Sequence, residues 1–294
     1  MNNKHAYFIM AHNEFELLKR LIRMIDDERN DIYVHIDKKV KDYSQEEISL
    51  ITQKSKIYFM KRMNITWGGD SQIKCFLHFL QISSKTHYAY YHWISGVDFP
   101  LKSQDYIHDF FKKNNGKIYL DADLRREHVI ESFEQRNKYY YFFQNKIGKD
   151  VNIYATLQVI SVKLQEIIGI NRISKAKFNF EKGSNWCSIT DEAVSVILSS
   201  ENFIKKYFFN ALNSDESCIQ TILYNSSLKD KIVRDDLRYI DWSAGGMSPR
   251  VLDDSDFETL KTTKDLFARK FSCKNEKDIM FLDKLEDYID RMGK

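Results

Sequence analysis

A chain of 294 residues with 43% hydrophobic content can bury one large core or two small ones, and its 10 Gly and 2 Pro leave no linker-like stretch, so a single domain is expected. Forty-five basic residues against 42 acidic give a formal charge of +3, too small a field for a nucleic-acid partner. Cys75, Cys187, Cys218 and Cys273 form no CxxC and no paired metal-ligand spacing, and nothing approaches the ~18–20 apolar residues of a membrane span, so a reduced, cytoplasmic chain, at most peripheral to a membrane, is expected.

Taken in order, Ala6 to Ala11 reads as a buried strand ending at His12 and Asn13. Glu14 to Ile25 then places Leu17, Leu18, Leu21, Ile22 and Ile25 at helical spacing. Asp31 to Asp37 is a second strand with an acidic end, and Lys56 to Met60 a third. Strands alternating with helices at this spacing predict a parallel α/β sheet, in which ligands bind beyond the carboxyl ends of the strands. That makes His12, Asn13, Asp37 and Lys38 candidates by position. Neither GxGxxG nor GxxxxGK[ST] occurs, which argues against a dinucleotide site or a P-loop.

Thr66-Trp67-Gly68-Gly69-Asp70-Ser71 is a glycine turn leading into a helix, whose backbone N–H groups can face a phosphate or a ribose or can simply turn the chain. His87 to Ser95 is an aromatic strand followed by Asp98, a ligand candidate or a turn residue before Pro100. Lys117 to Asp123 ends in a literal DxD, Asp121 and Asp123. Two such carboxylates suit a hard divalent cation, although the spacing is also common by chance. Residues 124 to 170 are basic and aromatic, with an amphipathic helix from about Ile153 to Ile168 that reads as a packed excursion or as a substrate or membrane-surface lid.

Glu181 to Thr190 reads as a glycine-led aromatic strand containing Trp186, followed by a helix. Next comes Asn213-Ser214-Asp215-Glu216, in front of the apolar run Ile219, Ile222 and Leu223. Asn213 or Ser214 is placed to cap this helix, with Asp215 and Glu216 in its first turn, where the dipole favours negative charge. A carboxylate held there can serve as a general base or as an ordinary cap. Arg238 to Trp242 reads as a strand, Ser248 to Val251 and Leu266 to Phe271 carry basic residues, and a helix with Ile279, Phe281, Leu282, Leu285 and Tyr288 closes the chain.

Eight segments in register, AYFIMAHNEFELLKRLIRMI, YVHIDKK, TWGG, YHWISGVDFPLKS, GSNWCSIT, SDESCIQTIL, RYIDW and LFARKF, resemble the core-2/I-branching enzymes, glycosyltransferase family 14. The resemblance covers nearly the whole chain. It implies a GT-A-type fold and an inverting transfer from a UDP-sugar, commonly UDP-N-acetylglucosamine, to a sugar hydroxyl, with no metal ion or other cofactor. On this resemblance residues 1–123 are a nucleotide-binding half, 124–170 the excursion, and 171–294 an acceptor-binding and catalytic half. Glu216 matches the catalytic base, Arg250 and Lys270 the partners of the diphosphate, and Ala11, His12 and Asp37 the nucleotide site, with Gly68 and Asp98 placed there too. Trp242 and Asp121 match acceptor contacts, and Trp186 is assigned with them. The spacing from Arg250 to Lys270 is shorter than in the animal members. The animal members' disulfides and membrane anchor find no match here, which points to a bacterial, cytoplasmic relative acting on a saccharide or lipid-linked oligosaccharide. Two alternatives stand beside this reading: a metal-dependent DxD transferase using Asp121 and Asp123, and a sugar-nucleotide-binding protein without activity.

Overall fold

The structure, a computed structural model, describes residues 3–121, 135–148, 152–246 and 248–292. Its strands are β1 (His5–Ala11), β2 (Asn30–Ile36), β3 (Lys56–Phe59), β4 (Tyr90–Ser95), β5 (Asp98–Pro100), β6 (Ile118–Leu120), β7 (Cys187–Thr190), β8 (Ile232–Arg234), β9 (Arg238–Ile240) and β10 (Phe267–Arg269). The chain divides into two compact units. One comprises Met1–Arg62, Tyr88–Lys117 and Leu237–Lys294, the other Met63–His87 and Ile118–Asp236. The expected α/β class, with a mostly parallel sheet flanked by helices, is what the chain adopts.

In the first unit β3, β2, β1 and β4 lie side by side in that order, all parallel. β1 and β2 are buried on both faces, which is why their sequences run apolar rather than alternating. β3 alternates exposed and half-buried, as an edge strand does. The helix Phe15–Met24 crosses between β1 and β2 and buries Leu17, Leu18, Leu21 and Ile22. A second, small sheet pairs β10 antiparallel with β5 and parallel with β9. Strands this short carry no period, so the sequence pattern did not mark β5 or β10.

In the second unit β6 pairs antiparallel with β7 and parallel with β8. The helix Ser71–Ser83 buries Ile73, Cys75, Phe76, Phe79 and Leu80 and packs on the helix Asp191–Ser199. That second helix is capped by Thr190, whose hydroxyl accepts from the Ala193 N–H. The helix Cys218–Tyr224 is buried along its whole length, so whatever precedes it is fixed to the interior of this unit.

Candidate active site

In the first unit the carboxyl ends of β1 and β2 meet at one place. The Asp37 N–H donates to the Ala11 carbonyl at 3.0 Å, and the Gly96 N–H donates to the Met10 carbonyl. A side chain on Gly96 would lie 2.8 Å from the Ala11 Cβ, so this glycine permits close approach of β4 to β1. Beyond these ends opens a cavity of about 340 Å³ lined by His12, Asp37, Lys39, Val40, Lys41 and Asp42. Asp37 is buried, and its carboxylate accepts from the Lys39 N–H and pairs with the Lys39 ammonium at 3.5 Å. His12 and Asp37 therefore stand where strand-end logic places them, in a concavity of ligand size. Ala11 is buried against Gly96 and supplies backbone rather than side chain.

Asp98, a ligand candidate or a turn residue by sequence, is held by protein partners. It is fully buried, its carboxylate accepts from the Ser95 N–H and hydroxyl, and it pairs with Arg269 Nε at 3.3 Å. With both oxygens engaged it ties β5 to β10, next to Lys270. Lys270 is half-buried and donates to the Ser248 hydroxyl at 3.3 Å, while its carbonyl accepts from Leu252 N–H. Arg250 is held from two sides, by Asp241 at 2.6 Å and Asp256 at 2.5 Å. Those two carboxylates keep the guanidinium charged, and hydrogen bonds from Ser243 and then Arg250 hold Asp241 well acidic, at about 2. The two expected phosphate cations are thus unequal, one paired with carboxylates and one with a hydroxyl. Trp242, just past β9, is more than half exposed.

In the second unit the acidic stretch is not the first turn of a capped helix. Ser214–Glu216 forms a separate 3-10 turn with Asn213 in the left-handed region, and neither Asn213 nor Ser217 makes a side-chain cap bond. The reason is the Gly68 loop. The Gly68 carbonyl accepts from the Asn213 N–H at 2.8 Å, pulling Asn213 to φ 51°. A Cβ on Gly68 would lie 2.6 Å from the Asn213 side chain and 3.0 Å from Gln144 Nε2. Gly68, expected beside the nucleotide, thus packs within this unit on the acidic turn.

That turn presents Asp215 inward and Glu216 outward. Asp215 is buried, and burial first, then the Glu216 charge, raises its carboxyl from the ordinary 3.8 to about 7. Glu216 is half-buried, and burial raises its carboxyl above the ordinary range while Lys182 and Arg136 pull it down. The Arg136 guanidinium lies 3.8 Å from its carboxylate. Asn213 Oδ1, Ser214 Oγ, Ser217 Oγ and Gln220 Oε1 around the turn are buried with no hydrogen-bond partner among the described residues. Orphaned polar atoms are uncommon in folded interiors and concentrate where function rather than stability sets the sequence.

One loop joins this turn to Asp121. The Gly183 N–H donates to the Glu216 carbonyl at 2.9 Å, the Ser184 N–H donates to Asp121 Oδ2 at 3.0 Å, and Gln220 donates to the Ser184 carbonyl. Asp121 and Glu216 are thereby held on one rigid frame, with Trp186, buried, three residues further along the loop. Asp123 lies outside the described residues, so the second half of the DxD has no described place. Two residues that sequence reasoning passed over belong to this frame. Arg136, in the aromatic excursion, faces Glu216. Asp70 is buried, pairs with Lys74 and accepts from Asn145 and from the Asn210 N–H, so it locks the Gly68 loop to the chain just before the acidic turn. Its place at the end of the TWGG segment was the available signal.

A family model described as "Branch: Core-2/I-Branching enzyme" matches residues 5–264. Among curated relatives, xylosyltransferase 2 of Canis lupus familiaris is 24% identical over 95% of this chain and 33% of its own length. The xylosyltransferase of Ciona intestinalis is 21% identical over 90% and 32%. The chain therefore spans about a third of the length of the curated relatives it matches. Among solved structures, apo mouse xyloside xylosyltransferase 1 aligns over 90% of this chain and 96% of its own, at 10% identity and a TM-score of 0.41.

Proposed function

The chain belongs to the Core-2/I-Branching enzyme family, and we propose that it is a glycosyltransferase that moves a sugar from a UDP-sugar to a hydroxyl of a saccharide or lipid-linked oligosaccharide, with inversion. The observation that carries this reading is the Glu216 carboxyl, made more basic by burial, beside Arg136, and framed with Asp121 by a single glycine loop. In the proposed reaction the acceptor hydroxyl attacks the anomeric carbon on the face opposite UDP, and Glu216 takes its proton. The bond to the UDP oxygen breaks and its electron pair leaves with the diphosphate. Asp121, Trp186 and Trp242 are assigned to the acceptor; His12 and Asp37, with Ala11, are assigned to the nucleotide at the 340 Å³ cavity.

The leaving group gains negative charge, which fixed cations can stabilise as a metal ion would. Lys270 is assigned that work first, because its partner is a neutral hydroxyl, whereas Arg250 must exchange a carboxylate to meet a phosphate. The reading is metal-independent, and full activity in EDTA is its test. Loss of activity restored by Mn²⁺ would favour the DxD alternative. The family resemblance implies N-acetylglucosamine as the transferred sugar. The names of the curated relatives favour xylose as the second reading, and parallel assays with UDP-N-acetylglucosamine and UDP-xylose separate the two.

Glu216→Gln is expected to lower kcat by about 10²–10⁴-fold with UDP affinity unchanged, while Lys270→Ala weakens UDP affinity and kcat/KM together. Normal turnover by Glu216→Gln would remove Glu216 as the base. UDP binding by the unaltered protein without transfer or hydrolysis of any donor would make the chain a binding protein.

A further inference from the structure

The helix Ile153–Ile167, in the second unit, is built inside out. Its buried side chains are two glutamines, Gln158 and Gln165. Gln165 accepts from the Tyr140 N–H at 2.7 Å and donates to the Tyr140 carbonyl, and Gln158 accepts from the Phe143 N–H at 2.9 Å. The opposite face carries Ile153, Leu157, Ile160, Leu164 and Ile167, spaced 4-3-4-3, all exposed and reaching 72% at Ile153 and 79% at Ile167. Those positions form one stripe along the helix. Phe142, in the loop that the glutamines hold, is also 55% exposed. A continuous aliphatic stripe turned to solvent has no folding rationale, since polar residues occupy the inner face.

Charge identifies what covers it. Residues 135–182 contain nine Lys and Arg against three Asp and Glu, a net +6, whereas the whole chain is +3, so the remainder is net −3. Lys146, Lys163, Lys175 and Lys177 are exposed. Heptad-like spacing would also suit a second copy of the helix, but two copies of a net +6 segment repel, and the helix itself offers only Lys163 and Glu166 as charges to pair with a copy. A helix of 15 residues is about 22 Å long, short of a ~30 Å hydrocarbon core, and no described helix is long and apolar enough to cross a membrane.

We propose that this helix lies in the plane of an anionic lipid bilayer surface, its aliphatic stripe sunk among the acyl chains and its flanking lysines on the lipid phosphates. The proposal does not depend on the glycosyltransferase reading, and it is measured without donor or acceptor. Sedimentation of the full chain with phosphatidylcholine vesicles, pure or with roughly one-third phosphatidylglycerol, is expected to give binding only to the anionic set, weakened by added salt. The Leu157→Ser/Leu164→Ser double variant is expected to bind about tenfold more weakly or worse at an unchanged melting temperature. Lys175→Glu/Lys177→Glu should also weaken binding, while Leu50→Ser, equally apolar and exposed in the first unit, should not. Absence of vesicle binding, or undiminished binding by both double variants, would overturn the proposal. So would a concentration-dependent dimer that Leu157→Ser/Leu164→Ser abolishes and vesicles do not compete.

Discussion

Asp215 is one residue from the proposed base and is buried more deeply, whereas Lys182 and Arg136 face Glu216. The Asp215 carboxyl is raised to about 7 chiefly by burial. A carboxyl whose pKa is higher in the folded chain than in the unfolded one binds its proton more tightly when folded. The resulting stability cost is absent below the unfolded value of 3.8, grows as pH rises, and is complete above about 7. By linkage that cost is roughly 4 kcal/mol at its plateau. Asp215→Asn keeps the shape and removes the ionisation, so this variant is expected to raise the melting temperature, and to raise it more at pH 8 than at pH 5. Equal shifts at both values would show that Asp215 does not titrate in this window. Its retention at a cost fits a role for its charge or its proton beside Glu216, since function is where proteins keep destabilising groups.

The element that matters most is the Gly183-Ser184 loop, because it binds both Asp121 and the acidic turn. Gly183 has no need of a left-handed backbone; its constraint is proximity. A Cβ there would lie 2.0 Å from the Asp121 carbonyl oxygen and 2.7 Å from its carbon. Gly183→Ala must therefore push Asp121 away or break the bond from the Gly183 N–H to Glu216. Overpacking of this kind costs about 1–3 kcal/mol, and the displaced Asp121 should raise KM for the acceptor while UDP affinity holds. An unchanged acceptor KM with a lowered melting temperature would reduce the loop to a purely structural part. This dependence explains what sequence reading could and could not reach. β1, β2 and the helix Phe15–Met24 were legible because burial on both faces or on one stripe writes itself into residue spacing. Glu216, Asp121, Asp37 and His12 were singled out through family segments and strand ends. The packing of Gly68 on Asn213 was not legible, because a glycine turn looks the same whether it faces a phosphate or a neighbouring side chain. The 3-10 turn at Ser214–Glu216 was read as a helix start because its distortion comes from the bond of Asn213 to Gly68, 145 positions upstream of Asn213. Asp98 and Arg250 were read by type: the Arg269 partner of Asp98 lies 171 positions along the chain, while Asp241 and Asp256 are near Arg250 in sequence but follow no helical or strand period that would have paired them with it.

At the scale of the whole molecule, a buried histidine cluster in the first unit and the Asp215 carboxyl in the second act in opposite directions on stability against acid. His5, His92 and His108 are buried together in the first unit. His5 and His108 stack with ring centroids 4.0 Å apart, and His92 Nε2 lies 3.1 Å from His5 Nδ1. Burial depresses all three, aided by His108 at His5 and by His5 at His92, and His108 is brought from 6.5 to about 4 by burial and then Arg29. A histidine depressed in the folded chain is protonated first in the unfolded one. Its stabilising neutral form is fully available above pH 6.5, and stability falls as pH drops from there towards 4. Each histidine contributes a slope of up to about 1.4 kcal/mol per pH unit. Asp215 works against them, since its folded form takes up a proton over the same interval. The unaltered chain should therefore show a muted acid slope, and Asp215→Asn a steeper one, readable as urea-unfolding free energy between pH 6.5 and 4.5. His108→Gln, which retains a polar group facing Asn30, should flatten the slope in either background. A slope that is insensitive to His108→Gln would place the acid response elsewhere, and one that is insensitive to Asp215→Asn would mean that the buried carboxyl and the histidine cluster do not report on the same unfolding step.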